Sequence, residues 1–275
     1  MLKKSLGFGL GLRAEYYSLI ENEKTDIDWF EIITEDYLLP GGRPTYHLEK
    51  IRQNYPLVMH GVSMGIGNTD PLNQNYLQQV KNLAHQIDAH WISDHLCWTG
   101  INHRYSHDLL PIPYTQETLS HVIARIHTVQ EFLGQALVIE NPSTYLTFNC
   151  SEMPEWVFIH ELTKATDCKV LLDINNIYVS AYNHHFDPLL YLNAIPIESV
   201  QQFHLAGHLN CGDLRIDTHD HPVIPPVWEL YALAIQRFGM KSTMIERDDR
   251  LPPFKQLIAE LNKARKIANK ILRRN

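Results

Sequence analysis

Short runs of apolar and β-branched residues alternate along the chain with longer segments whose apolar positions recur every three to four residues. The short runs predict eight strands, over 6–12, 28–34, 57–61, 90–95, 136–141, 170–175, 200–205 and 242–246. The longer segments predict helices. One over 73–87 follows Asp70-Pro71, a capping residue and then a proline for the first turn, and one over 116–133 follows Thr115 and stops at Gly134. Helices over 226–238 and 253–272 each open on a proline, the former ending at Gly239, and shorter segments of the same kind cover 15–23, 46–54, 154–166 and 188–194. No linker, internal repeat or charge block interrupts the series, so one domain over 1–275 is expected. Such βα alternation is the pattern of an α/β protein built as a single (β/α)₈ TIM barrel of the xylose-isomerase-like kind. The rival, a doubly wound sheet, would gather its ligand groups at one switch point rather than at many strand ends.

The strand ends favour the barrel. Each carries a polar residue where a buried strand would ordinarily close on an apolar one: Arg13, Glu35, His60, Asp94 with His95, Glu140 with Asn141, Asp173 with Asn175 and Asn176, His204 with His208, and Glu246 with Asp248. In a barrel these positions converge on one rim. A lone buried polar group carries a desolvation penalty of about 2–7 kcal/mol unless partnered. Several carboxylates on one rim would repel one another unless a cation neutralises them. A metal cluster answers both problems. Imidazole and carboxylate without thiolate suit iron, manganese or zinc, and the donors exceed what one ion takes, which implies two or three metals. The segment 208–225 adds Asp217-Thr218-His219, a carboxylate and an imidazole that an extended chain would point the same way.

Composition narrows the field. The 275 residues are 44% hydrophobic with a net charge of −7, which excludes a disordered chain and argues against a nucleic-acid binder needing a basic face. Cys97, Cys150, Cys168 and Cys211 form no CxxC pair, so a reduced, cytoplasmic setting is expected, with Cys97 and Cys211 as small, partly buried thiols. No apolar run is long enough to span a bilayer, so no membrane association is expected. The basic end, 263–274, has apolar residues at helical spacing and reads as an amphipathic helix with a solvated face. Among the 16 histidines, His85, His121, His127 and His160 fall on helices as packing or surface residues. His103, His107 and Asp108 fall in a long loop after the fourth strand. The stretch 61–67 lacks the Lys-Ser/Thr of a P-loop and reads as a tight βα loop.

Asp28-Trp29-Phe30-Glu31, Thr34-Glu35-Asp36-Tyr37, His60-Gly61-Val62-Ser63, Ser93-Asp94-His95-Leu96, Ile139-Glu140-Asn141-Pro142-Ser143, Leu172-Asp173-Ile174-Asn175-Asn176, His204-Leu205-Ala206-Gly207-His208 and Ile216-Asp217-Thr218-His219 together resemble the multinuclear non-haem iron-dependent oxidative enzymes. The resemblance runs from Gly7 to Arg265. It implies a TIM-like barrel holding two or three iron ions (Fe²⁺/Fe³⁺), with zinc or manganese as alternatives in purified protein. It implies O₂ as co-substrate, a Cys-containing ribosomal precursor peptide as substrate, and a separate partner protein that captures the peptide's leader. The metal set it implies is His60, His95, Glu140, Asp173, Asn176, His204, Asp217, His219 and Glu246. His208 and Asp248 are the implied catalytic or proton-accepting residues. One departure is that Glu246-Arg247-Asp248 stands where Glu-Trp-Asp is expected, which leaves both acids and alters their surroundings.

Two other functions fit the same residues. A metal-dependent hydrolase or sugar isomerase of the xylose-isomerase-like or AP-endonuclease-like barrels would use a similar rim. A non-enzymatic metal-binding protein would saturate it.

Overall fold

The computed structural model describes residues 4–39, 41–102 and 104–273. In chain order, β1 (Phe8–Gly11), β2 (Trp29–Ile33), β3 (Leu57–Gly61) and β4 (Ile92–His95) are followed by an antiparallel hairpin of β5 (Trp98–Ile101) and β6 (Arg104–Leu110). Then come β7 (Val138–Glu140), β8 (Lys169–Asp173) and β9 (Val200–Leu205), a short ribbon of β10 (Leu209–Asn210) and β11 (Arg215–Ile216), and β12 (Ser242–Ile245). The eight longer-range strands close a parallel barrel in the order β1-β2-β3-β4-β7-β8-β9-β12, returning to β1. All eight lie where the apolar runs placed them, and the closed ring excludes the doubly wound alternative.

Strand periodicity divides the barrel into two cores. Outward residues such as Phe30, Ile32, Met59, Ile139, Leu172, Phe203 and Ile245 pack against the helices in one large apolar cluster. Inward residues form a second, small cluster of Trp29, Val58, Trp91, Val138, Leu171 and Met244. Gly9 makes room for this floor, since a Cβ there would meet the Trp29 ring at 2.4 Å. Two residues further along the same strands the inward positions turn polar: Trp29 gives way to Glu31, Val58 to His60, Trp91 to Ser93, Val138 to Glu140, Leu171 to Asp173 and Met244 to Glu246. A period of two thus lays an ionisable layer on an apolar floor.

The helices depart from the sequence reading in instructive places. Helix Gln74–Ile87 is capped by Asn73, whose side chain accepts from Tyr76 N at 3.1 Å, and Asp70-Pro71 belongs to the preceding loop. The segment expected over 15–23 is a 3₁₀ turn, Ala14–Tyr16, running into Tyr17–Asn22, and the one expected over 46–54 is Gly42–Ile51. The sixth strand ends at Asp173 rather than at Asn175, because the Asp173 side chain caps helix Ile174–His184 directly by accepting from Asn176 N at 2.6 Å. That helix has no counterpart in the sequence reading. The loop expected after the fourth strand is the β5-β6 hairpin, with His107 and Asp108 on β6; His103 lies outside the described residues. The terminal helix is Phe254–Leu272, and the end of the expected basic segment, Arg274, also lies outside them. No helix among the described residues is long and apolar enough to cross a membrane.

Candidate metal centre

His60, on β3, and His95, on β4, are each held by their Nδ1 atoms. His60 Nδ1 lies 2.8 Å from Ser93 Oγ, whose own hydrogen goes to Met59 O, and His95 Nδ1 lies 3.1 Å from Gly61 O. Both Nδ1 atoms therefore donate, which leaves the lone pairs on Nε2. These face a single oxygen, Oε2 of Glu140 on β7, at 3.0 and 3.2 Å. Two lone pairs and a carboxylate oxygen repel unless something positive sits between them.

The next group shares Glu140. His204 on β9 aims Nδ1 at Glu246 Oε2 (2.8 Å), Glu140 Oε1 (3.8 Å) and Asp173 Oδ2 (4.0 Å). A third group shares Glu246: His219 Nδ1 lies 3.1 Å from Glu246 Oε2 and 3.2 Å from Asp248 Oδ2, and its Nε2 lies 2.6 Å from Asp217 Oδ1. The two side chains that an extended segment was expected to point the same way do meet, and His219 itself has φ +48°.

Several buried atoms in this region have no hydrogen-bond partner despite these close approaches: Glu140 Oε2, Asp173 Oδ2, Asn176 Oδ1, His204 Nδ1, His219 Nε2 and Glu246 Oε2. Buried polar groups are almost always satisfied, so a cluster of orphans on one rim fits absent cations. The electrostatics agree. Burial alone would lower the pKa of His60, yet the charges of Glu140 and Glu31 raise it to about 9. His204 and His219 are likewise driven up against burial by the acids around them. Burial, reinforced by Glu140, pushes Asp173 well above the usual carboxylate range despite relief from His219. Without metal, protons take the cation's place.

The remaining sequence candidates divide. Asn176 donates Nδ2 to Asn141 O at 3.1 Å, leaving its Oδ1 for the cluster. Asp248 is half-exposed at the mouth, bonded to Arg13 and near His219. His208 stands apart from every metal-capable group among the described residues: Nδ1 meets Asn175 Oδ1 at 2.7 Å and its ring stacks on Tyr178. Burial and then Arg215 lower it to about 4. Glu35 accepts from Val62 N and Tyr76 OH, and Asp94 accepts from Met64 N, so both secure the loop after β3 rather than face the cluster. Arg247 turns away from the mouth to pair with Glu260 at 3.0 Å. Cys97 is buried and Cys211 exposed, so neither is the partly buried thiol expected.

Sequence reasoning missed Glu31. It is 3% exposed on β2 and lies 3.0 Å from His204 Nε2. Its signal was the alternation Trp29-x-Glu31-x-Ile33, which places an acid inside the barrel one step below the strand end.

The rim opens into a cavity of about 190 Å³ lined by His60, His95, Glu140, Tyr145, Asp217 and His219, among others. Residues 7–269 match the family model described as RiPP precursor modification enzyme MbnB/TglH/ChrH. A UPF0276 protein of Anaeromyxobacter sp. (strain Fw109-5) is 49% identical over 265 residues, covering 96% of this chain and 94% of that protein. A UPF0276 protein of Vibrio parahaemolyticus is 38% identical over 267 residues, covering 96% and 93%. Among solved structures, D-psicose 3-epimerase from Clostridium cellulolyticum H10 superposes with a TM-score of 0.65 at 13% identity, covering 97% of this chain and 99% of that one. An L-ribulose 3-epimerase gives a TM-score of 0.61 at 12% identity, covering 96% and 97%. At these identities the epimerases share the barrel fold alone.

Proposed function

Since the chain belongs to the RiPP precursor modification enzyme family MbnB/TglH/ChrH, we propose that it is a non-haem oxidoreductase holding two or three iron ions and using O₂ to modify cysteine residues of a ribosomally made precursor peptide. The observation that carries this reading is the set of orphaned buried donors gathered around Glu140 and Glu246. His60, His95 and Glu140 would hold one ion. Asp173, Asn176 and His204 would hold a second, and Asp217 with His219 a third, with Glu140 and Glu246 shared between neighbours. Bound iron would supply redox chemistry and lower the pKa of a substrate thiol.

The protein's own groups do the rest. On this reading the cavity at the rim would receive the cysteine side chain. Tyr145 fixes the metal-bearing loop through its hydroxyl, which accepts from Asp217 N at 2.9 Å. Asp248, held by Arg13, is placed to accept a proton from a substrate at the mouth. A separate leader-binding protein would deliver the peptide, in the cytoplasm, and residues 1–275 would act as one domain.

The test is anaerobic purification with metal analysis, followed by O₂ and a Cys-containing precursor peptide, read by mass spectrometry. Iron at two or three per chain and a mass change on cysteine, absent in His60→Ala, support the reading. Zinc-only protein with phosphodiesterase activity and no O₂ uptake would overturn it.

A further inference from the structure

Trp91, Gln202, Glu31 and His204 form a chain across the barrel interior, none more than 3% exposed. The Trp91 indole donates to Gln202 Oε1 at 2.8 Å, which fixes the amide so that its nitrogen faces Glu31. Gln202 Nε2 then donates to Glu31 Oε2 at 2.6 Å, and Glu31 Oε1 faces His204 Nε2 at 3.0 Å. Glu31 lies close enough to His60, His204 and Glu246 to share an ion with them. Its Oε2 is taken by Gln202 and its Oε1 faces the His204 ring, so both oxygens are engaged within the protein.

The far side of His204 has a second neighbour, Gln202 Nε2, at 2.8 Å from the same ring nitrogen. The two make opposite demands. An amide hydrogen would claim a lone pair on Nε2 and drive the ring proton to Nδ1, which would block the nitrogen that faces Glu246, Glu140 and Asp173. A carboxylate instead claims Nε2–H and leaves the Nδ1 lone pair aimed at those acids. The charge-assisted bond is roughly twice as strong as the neutral one, so Glu31 decides. Gln202 keeps Glu31 in place and Trp91 keeps Gln202 the right way round.

We infer that Glu31 is the positioning residue that selects the Nδ1-ligating tautomer of His204, and so sets the affinity of the ion bound there; this rests on the metal-centre reading above. The test titrates metal-free protein labelled with ¹⁵N-histidine with Zn²⁺. It reads the ions bound per chain, their dissociation constants and, from long-range ¹H–¹⁵N spectra, which His204 nitrogen carries the proton. The expected wild-type result is Nε2–H with Nδ1 on zinc. Glu31→Gln should weaken one ion by about 10–100-fold and leave the others unchanged. Trp91→Phe, which frees the amide to turn, should weaken the same ion by less. Unchanged affinity in Glu31→Gln overturns the assignment, as does weakening of every ion together with a fall in melting temperature. If Glu31→Gln does not fold, the wild-type spectrum decides alone, and zinc on Nε2 with hydrogen on Nδ1 overturns the assignment. A wild type that binds no metal overturns the metal-centre reading itself, which separates the two failures.

Discussion

His60 and His95 lie with ring centroids 4.6 Å apart and point both Nε2 atoms at the same oxygen of Glu140. Two ligands of one ion act as a unit, so their removals should not add. His60→Ala and His95→Ala should each abolish binding of one ion, and the double variant should lose no further ion. Metal titration by elemental analysis checks this; loss of a second ion in the double variant would assign the two rings to different metals.

Asp173 is buried with one oxygen orphaned, while its other oxygen caps helix Ile174–His184. Asp173→Asn keeps an acceptor for the cap and removes the charge. The metal-free variant should be more stable than wild type at neutral pH, because burial and Glu140 hold the wild-type carboxyl's pKa well above its unfolded value and an amide has no proton to take up. The rise in melting temperature that metal gives the wild type should shrink, because one ion is lost while those on His60 with His95 and on Asp217 with His219 remain. Thermal denaturation with and without metal measures both.

Gly207 follows β9, and a Cβ there would stand 2.2 Å from His221 O and 2.4 Å from Pro222 O. Both are backbone atoms and cannot swing aside. Gly207→Ala should displace the segment carrying Asp217 and His219, with a loss of about 1–3 kcal/mol from overpacking. The ion on those residues should be lost and the one on His60 and His95 kept, as metal stoichiometry would show.

Glu155 lies away from the cluster, buried at the start of helix Glu155–Thr166 with Tyr191 OH donating at 2.7 Å. Burial raises its pKa to about 7, against partial relief from the Tyr191 and Tyr114 hydroxyls. A raised carboxyl pKa contributes stability that is full below the unfolded value of about 4.3 and is lost as pH rises through 7. The shift corresponds to roughly 3–4 kcal/mol. Denaturant titrations from pH 4 to 8 should show wild type losing stability relative to Glu155→Gln across that window; parallel curves would refute it.

The barrel was legible because its strands are apolar on both faces and separated by amphipathic helices, and because its rim residues sit at strand ends. Helix Ile174–His184 was not, since Ile174, Ile177 and Val179 continue the β-branched character of the strand before it and no loop intervenes. The Asp173-to-Asn176 cap was the available signal. Glu31 escaped because it lies inside its strand rather than at the strand's end; the inward polar layer begins one step earlier. The hairpin strand Arg104–Leu110 is mostly exposed and polar, so it carries no alternation to read.

The floor of Trp29, Val58, Trp91, Val138, Leu171 and Met244 closes the barrel below the rim, since each of these side chains is at most 2% exposed. The rim is then reached from the mouth side, where Asp248 lines the cavity. On the function proposed above, a seated peptide would act as its own stopper. Order of addition would then be a property of the architecture: a small co-reactant would have to arrive before the plug or slip past it, and turnover would wait on the plug's withdrawal.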